Sequence, residues 1–343
     1  GQVGVSDGDG PPCHGARPDQ RLAEGRKVRV LGSVLGAIGR TPLVALDRLS
    51  AGLPGRVLLK LEYYSPGASI KDRIALKIVE DAERQGRLRP GGTIVELTSG
   101  NTGIGLAVVC AVKGYQMIAV MSEGNSPERC RMLTALGARV ELVPQAEGSK
   151  PGYVSGEDLK LVERRAAELV EELGAFPADQ FGNLSNVEAH ELTTGPEIWE
   201  DTDGQVGAFL AMVGTAGTFV GIARALKRRN PSIRAYVVEP AAVPYLAGGR
   251  VLNSGHKLQG AGYALLPPLW DPSLCDGYLT VTDDEAISVA RELARREGIF
   301  AGFTTGACVA AALALAREAQ PGALIVTTAN DSGLKYLSTG LFE

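Results

Sequence analysis

The chain has 343 residues, which at about 100–200 residues per domain allows two to three domains or one large two-lobed body. Its 45% hydrophobic and 22% charged residues, with 44 glycines and 19 prolines, describe a globular chain and exclude collagen, coiled coil and disorder throughout. A net charge of −4 with no long Lys/Arg run argues against nucleic acid and anionic membrane surfaces as partners.

No apolar run approaches the ~18–20 residues that span a bilayer, and the first twenty residues lack the apolar stretch of a signal peptide, so a cytoplasmic protein is expected. Five cysteines, Cys13, Cys110, Cys130, Cys275 and Cys308, are odd in number and form no CxxC pair. That pattern suits reduced structural thiols better than disulfides or a metal site, and no metal is expected.

Residues 1–32 are read as a flexible tail, because Gly, Pro, Asp and Arg recur there without periodicity. From there short β-branched runs alternate with amphipathic stretches, the pattern of parallel strands joined by crossover helices. Strands are predicted at Arg56–Leu61, Thr93–Leu97, Met117–Met121, Arg139–Val143, Ala208–Val213, Ala235–Glu239 and Leu324–Thr328. Between the first two, Ile74, Ile78, Val79 and Ala82 recur at helical spacing and Gly86 ends the helix. A second helix is expected after Ser126 as cap, with Pro127 in its first turn and Gly137 as stop. Residues 146–156 turn polar and Gly-rich, read as a surface loop before a charged helix. The lobe boundary is set near residue 180, giving lobes over 33–180 and 181–343.

Two Gly/Thr/Ser turns fall directly after a strand and before a helix: Thr98-Ser99-Gly100-Asn101-Thr102-Gly103 and Gly214-Thr215-Ala216-Gly217-Thr218. A helix N-terminus reached through glycines presents free N–H groups and a positive dipole, so each turn can take an anion, although plain helix capping uses the same residues. In open α/β sheets such strand ends bind ligands. Lys71, after Ser65-Pro66-Gly67-Ala68-Ser69-Ile70, stands at the positive end of a helix, an unfavourable place for a cation. Burial there would depress its pKa towards the neutral amine that Schiff-base chemistry needs; a surface lysine paired with Asp72 is the plainer reading. Gly302–Ala307 forms a fourth hydroxyl-rich turn, before a helix predicted over Cys308–Ala319.

In this order SPGASIKDR, TSGNTG, GTAGT, HKLQGAG and GFTTGA resemble the fold type II pyridoxal-phosphate enzymes of the cysteine synthase and cystathionine β-synthase family, over about residues 33–339. The segments IGRTPLVAL and TTGPEIWEDTDGQV strengthen the likeness. The resemblance implies a two-lobed α/β fold, each lobe a twisted, mostly parallel sheet flanked by helices, with pyridoxal 5'-phosphate in the cleft between them. It implies that Lys71 forms the Schiff base with the cofactor and shuttles the proton. Gly214, Thr215, Ala216, Gly217 and Thr218 would cradle the phosphate, Asn101 would meet the ring 3-oxygen, and Thr304 the pyridine nitrogen. Thr98, Ser99, Gly100, Thr102 and Gln180 would hold the amino-acid carboxylate, and Gly260 and Tyr263 would line the substrate site. A hydroxyl partner does not keep the pyridine protonated, which favours β-replacement on an L-serine derivative through an aminoacrylate. Such an enzyme takes a small amino acid and a small nucleophile, and the family suggests a homodimer.

Departures from the family pattern bear on substrate. Ala216 replaces a usual glycine, tolerable if its φ is negative. Tyr263 leans towards the cystathionine β-synthase pattern, as a wall of the second-substrate pocket or as a packed tyrosine. Asn330 and Asp331 fall where the pocket floor is expected, with no role assigned. Ala241-Ala242-Val243 offers no basic residue for a phosphorylated donor, which favours an uncharged leaving group. Cys13 and His14 are adjacent in the tail, unlike a haem-ligand pair, and no regulatory module is expected after Glu343. The leading expectation is therefore O-acetyl-L-serine plus sulfide to L-cysteine. Cystathionine formation, amine addition to a diaminopropionate, and β-elimination share the catalytic set. A nicotinamide dehydrogenase is disfavoured because no GxGxxG follows a first strand.

Overall fold

The computed structural model describes residues 30–98, 100–149, 154–252 and 256–343, and Ser33–Glu343 form one compact body. The expectations for the first 29 residues and for Ser99 lie outside the described residues.

The larger sheet contains β1 (Leu43–Ala45), β2 (Arg56–Lys60), β7 (Val206–Met212), β8 (Arg234–Pro240), β9 (Gly277–Val281) and β10 (Leu324–Thr328), in the order β1-β2-β10-β7-β8-β9. Its pairings are parallel except β1 with β2. The smaller sheet contains β3 (Thr93–Leu97), β4 (Gln116–Ser122), β5 (Arg139–Val143) and β6 (Phe176–Pro177), in the parallel order β5-β4-β3-β6. Each predicted strand is present, within a few residues of its expected ends. The three not predicted are β1, β6 and β9, two of them shorter than four residues. The α/β class with mostly parallel, helix-flanked sheets is thus the observed one.

Helices α1 (Lys71–Arg84), α2 (Asn101–Lys113), α3 (Pro127–Ala135) and α4 (Gly156–Leu173) accompany the smaller sheet in sequence. After them come α5 (Ser185–Ala189), α6 (Gly195–Asp201), α7 (Gly217–Arg229), α8 (Asp283–Glu292) and α9 (Phe303–Glu318). The apolar stripe of α1, with Ile74, Ile78, Val79 and Ala82 at no exposure, packs with Ile104 and Val109 of α2, as its spacing requires. Helix α9 is apolar on nearly all sides and lies inside the core of the larger sheet, with Val309, Ala312 and Ala316 fully buried.

Two expected helix starts differ. Ser126 occupies the cap position of α3, but its hydroxyl donates to the Lys335 carbonyl at 3.4 Å instead of capping. Helix α9 begins at Phe303, five residues earlier than predicted, so Thr304 lies in its first turn. Helix α4 carries a capping box between Ser155 and Asp158 at the end of the polar loop.

Strands β2, β10 and β7 are adjacent and parallel, so their carboxyl ends lie at one edge. That edge gathers three segments distant in sequence: the loop into α1, residues 329–332 after β10, and the turn before α7. Backbone bonds stitch the first two, Ile70 N to Asn330 O at 2.8 Å and Ser332 N to Ala68 O at 3.1 Å.

A candidate active site at the strand ends

Lys71 is the first residue of α1, and its helix is fixed by a buried ion network two residues on. Arg73 donates to Glu62 at 2.7 Å and to Glu197 at 2.6 Å, and Lys60 donates to Asp201 at 2.7 Å. Removing one partner of such a buried network strands a charge, at a cost of about 3–5 kcal/mol. The Lys71 amine is packed round by protein, and that burial pulls its pKa from 10.5 down to about 8 against the opposing pull of Asp331 and Glu62. An unfavourable position for a cation thus becomes a favourable one for a nucleophilic amine.

One cavity, with about 830 Å³ of empty space partly open to solvent, joins the predicted site residues. Lys71, Asn101, Thr102 and Gln180 line it from one side, and Gly214, Thr215, Ala216 and Thr218 from the turn before α7. Gly260, Tyr263 and Thr304 complete it, together with Asn330 and Asp331, for which the sequence suggested no role. Thr98 lies beneath the wall: its Oγ1 accepts from Gly100 N at 2.9 Å and Gly103 N at 3.0 Å, holding the turn's shape. Tyr263 packs on Phe181, ring centroids 6.2 Å apart.

The turn before α7 is built for close approach. A Cβ on Gly214 would overlap the carbonyl oxygen of Gly260, and one on Gly217 would overlap the Asn186 carboxamide. Asn186 Nδ2 donates to Thr215 Oγ1 at 2.9 Å and to Gln180 O at 2.7 Å. Thr218 Oγ1 meets His190 Nε2 at 3.2 Å, and the ring's Nδ1 meets Thr194 at 2.8 Å. His190 opens a π-helical turn over His190–Thr194, and burial, with the charges of Lys71 and Arg73, holds it neutral. Ala216 has φ +72°, so the condition for its easy replacement of glycine is not met; the left-handed backbone costs an alanine about 1 kcal/mol.

The turn before α2 is set among charges. Gly100, at φ +128°, leaves room for Arg129, into whose side chain a Cβ would project. Arg129 Nη2 donates to Tyr336 at 2.9 Å, and the Tyr336 hydroxyl donates to Asp331 Oδ2 at 2.6 Å. Asn101 Nδ2 donates to Asp331 Oδ2 at 2.8 Å, and Lys335 Nζ donates to Asn101 Oδ1 at 2.8 Å. Thr102 Oγ1 donates to Gln180 Oε1 at 2.6 Å. Behind them Glu96 of β3, buried, has its carboxyl pushed up to about 8 by desolvation.

Sequence reasoning missed Glu96, Asn186, His190, Lys335 and Tyr336, which lie outside the turn motifs and reach the site only through folding. Among the described residues no His/Cys/Asp/Glu group could hold a metal, no helix is long and apolar enough to cross a membrane, and Cys110, Cys130, Cys275 and Cys308 are free thiols.

The family model described as pyridoxal-phosphate dependent enzyme matches residues 34–331. The chain belongs to this family. A cysteine synthase of Staphylococcus aureus strain Mu50 is 44% identical over 307 residues, covering 89% of this chain and 95% of the relative. Among solved structures, an O-ureido-L-serine synthase is 40% identical with a TM-score of 0.84, covering 92% of this chain and 96% of that one. A cysteine synthase of Entamoeba histolytica is 34% identical with a TM-score of 0.85, covering 93% and 92%. As a family member the chain is a pyridoxal-phosphate-dependent enzyme of the cysteine synthase type, and the cavity fits that cofactor. It pairs an amine of lowered pKa with a glycine cradle that a single Cβ would fill.

Proposed function

We propose that the chain catalyses β-replacement on an activated L-serine, O-acetyl-L-serine with sulfide giving L-cysteine and acetate. The observation that carries this reading is Lys71, a half-buried lysine lining the same cavity as two strand–turn–helix units of the kind that take anions. Gly214, Thr215, Ala216, Gly217 and Thr218 hold the phosphate through backbone N–H groups and hydroxyls, and Asn101 donates to the ring 3-oxygen. Asn330 Nδ2 donates to Thr304 Oγ1 at 3.3 Å, which leaves the Thr304 hydroxyl hydrogen for an unprotonated pyridine nitrogen. Gly100, Thr102 and Gln180 bind the amino-acid carboxylate beside the start of α2, with Thr98 shaping that turn.

Bound pyridoxal phosphate supplies the electron sink that stabilises charge at the substrate Cα. Lys71 Nζ takes the Cα proton as the β-substituent departs, then returns a proton to Cα once the nucleophile has added. With a pKa of about 8, roughly a quarter of Lys71 is neutral at pH 7.5, against about a thousandth for an ordinary lysine. Capture of added cofactor by the cofactor-free protein therefore accelerates with pH and flattens above about pH 8; a rate still climbing near pH 10 would contradict a depressed Lys71.

A second reading is favoured by one observation. A wider cavity, lined by Ala146, Asp158, His256 and Ser338, shares Leu159, Gln259, Gly260 and Tyr263 with the first, so a nucleophile larger than sulfide has a route in. The deciding experiment follows the bound cofactor's visible spectrum on adding O-acetyl-L-serine alone, then assays products with sulfide and with small amines. A shifted band followed by cysteine supports the first reading, and an amine adduct formed in preference supports the second. A band unmoved by O-acetyl-L-serine sinks both.

We further read each sheet as the core of one lobe, the chain passing between them near residue 180, with β1 and β2 returning to the second lobe's sheet. A cytosolic homodimer completes the reading. The exposed Leu184 and Leu192 near α5 are apolar surface that a second copy would cover, and sedimentation checks the mass.

A further inference from the structure

The segment after β10 holds, between Asp331 and Tyr336, a buried polar cluster that the reaction above does not use. Lys335, with no exposed surface, donates to two acceptors: Gly67 O at 2.7 Å and Asn101 Oδ1 at 2.8 Å. It therefore ties the loop carrying Lys71 to the turn carrying Asn101. Asp331, 1% exposed, accepts from Asn101 Nδ2 at 2.8 Å and from the Tyr336 hydroxyl at 2.6 Å. An ammonium only donates and a carboxylate only accepts. Rotating the Asn101 carboxamide by half a turn would set its NH₂ against Lys335 and its oxygen against Asp331, two repulsions where there are now two charge-assisted bonds.

We propose that Lys335 and Asp331 are positioning residues that lock the Asn101 carboxamide in one orientation, nitrogen towards the cofactor's 3-oxygen. The inference rests on the reading that Asn101 meets the cofactor. Of the two Nδ2 hydrogens one is taken by Asp331, and the other is presented by a residue on the cavity wall. A free asparagine would spend part of its time presenting an oxygen to an anionic ring oxygen. The clamp removes that state before the cofactor arrives.

The test is a double-mutant cycle on the full chain, with Lys335→Met, Asp331→Asn and Asn101→Ala singly and with each clamp change combined with Asn101→Ala. Two readouts are taken: equilibrium binding of pyridoxal phosphate to the stripped protein, and the pH titration of the bound cofactor's visible band. Lys335→Met and Asn101→Ala are each expected to weaken cofactor binding about tenfold and to move the titration in the same direction, and the pair together to do no more than Asn101→Ala alone. The same factor lost with and without Asn101 would overturn the clamp and leave Lys335 a purely structural cation. Should Lys335→Met not fold, Asp331→Asn, nearly isosteric, carries the same cycle. If Asn101→Ala leaves both readouts unmoved, the assignment of Asn101 to the cofactor fails first, and that outcome is distinct from additivity.

Discussion

The turns before α2 and α7 share one backbone plan, a parallel strand ending in glycines and hydroxyls ahead of a helix N-terminus, yet their surroundings differ. Around Gly214–Thr218 the neighbours are neutral: the Asn186 carboxamide, a histidine held uncharged, and the Gly260 backbone. Around Gly100–Thr102 they are the charged side chains of Arg129, Lys335 and Asp331, with the buried carboxyl of Glu96, raised to about 8, beyond them. A ligand that brings its own charge is best met by oriented dipoles that need no counter-ion beforehand. A group whose orientation decides the chemistry is better held by fixed charges of opposite sign on its two ends. Motif alone does not separate these uses; the second layer does.

The neutral turn is broken most directly by Gly214→Ala. The new Cβ has no room against the Gly260 carbonyl, a backbone atom that cannot rotate away, so the two loops must part. Cofactor affinity is expected to fall by a hundredfold or more, about 3 kcal/mol, measured by equilibrium dialysis. Unchanged affinity would show that the loops yield freely.

On the charged side, Glu96 offers a pH test. Its carboxyl is raised from 4.5 to about 8 by burial, so the folded protein binds one more proton than the unfolded chain between those values. Stability from this group is whole below pH 4.5 and is lost as pH rises to about 8. Glu96→Gln, which cannot ionise, should gain on the parent steadily as pH rises from 4.5, by up to about 4 kcal/mol at pH 8 and little at pH 4.5, read from urea midpoints. A gain independent of pH would refute the titration and leave only packing. The smallest effect is expected at Ala216, where Ala216→Gly relieves the left-handed backbone and should stabilise by about 0.5–1 kcal/mol, less what the freer unfolded chain takes back. Loss of stability there would mean that the alanine methyl packs usefully against the cavity.

How far the sequence reaches can be seen residue by residue. Strand–turn–helix order, the stop at Gly86 and the placing of Lys71 at a helix start follow from local chemistry, and the structure agrees on each. Strand β6 carries Pro177 in a two-residue run, below any periodicity signal, and β1 is three residues long. Ser126 reads as a cap by composition, but its hydroxyl is drawn to a carbonyl 209 residues away. Lys335 resembles any surface lysine in the sequence, because its burial depends on Gly67 and Asn101, each more than two hundred residues away along the chain. Arg129 is likewise one basic residue of a helix until Tyr336 covers it, 5.2 Å from guanidinium carbon to ring centre.

The pairing of β2 with β10 also bears on how the chain becomes a protein. Arg56 stands opposite Leu324, so β2, which pairs locally with β1, finds its parallel neighbour only after β3 to β9 have left the ribosome. The smaller sheet, complete by Pro177, can condense long before that. Closing so long a loop adds only a logarithmic entropy term, yet it slows the search. The loop that leads into the reactive amine is thus fastened to residues 330 and 332, across the cavity floor, only when that search ends.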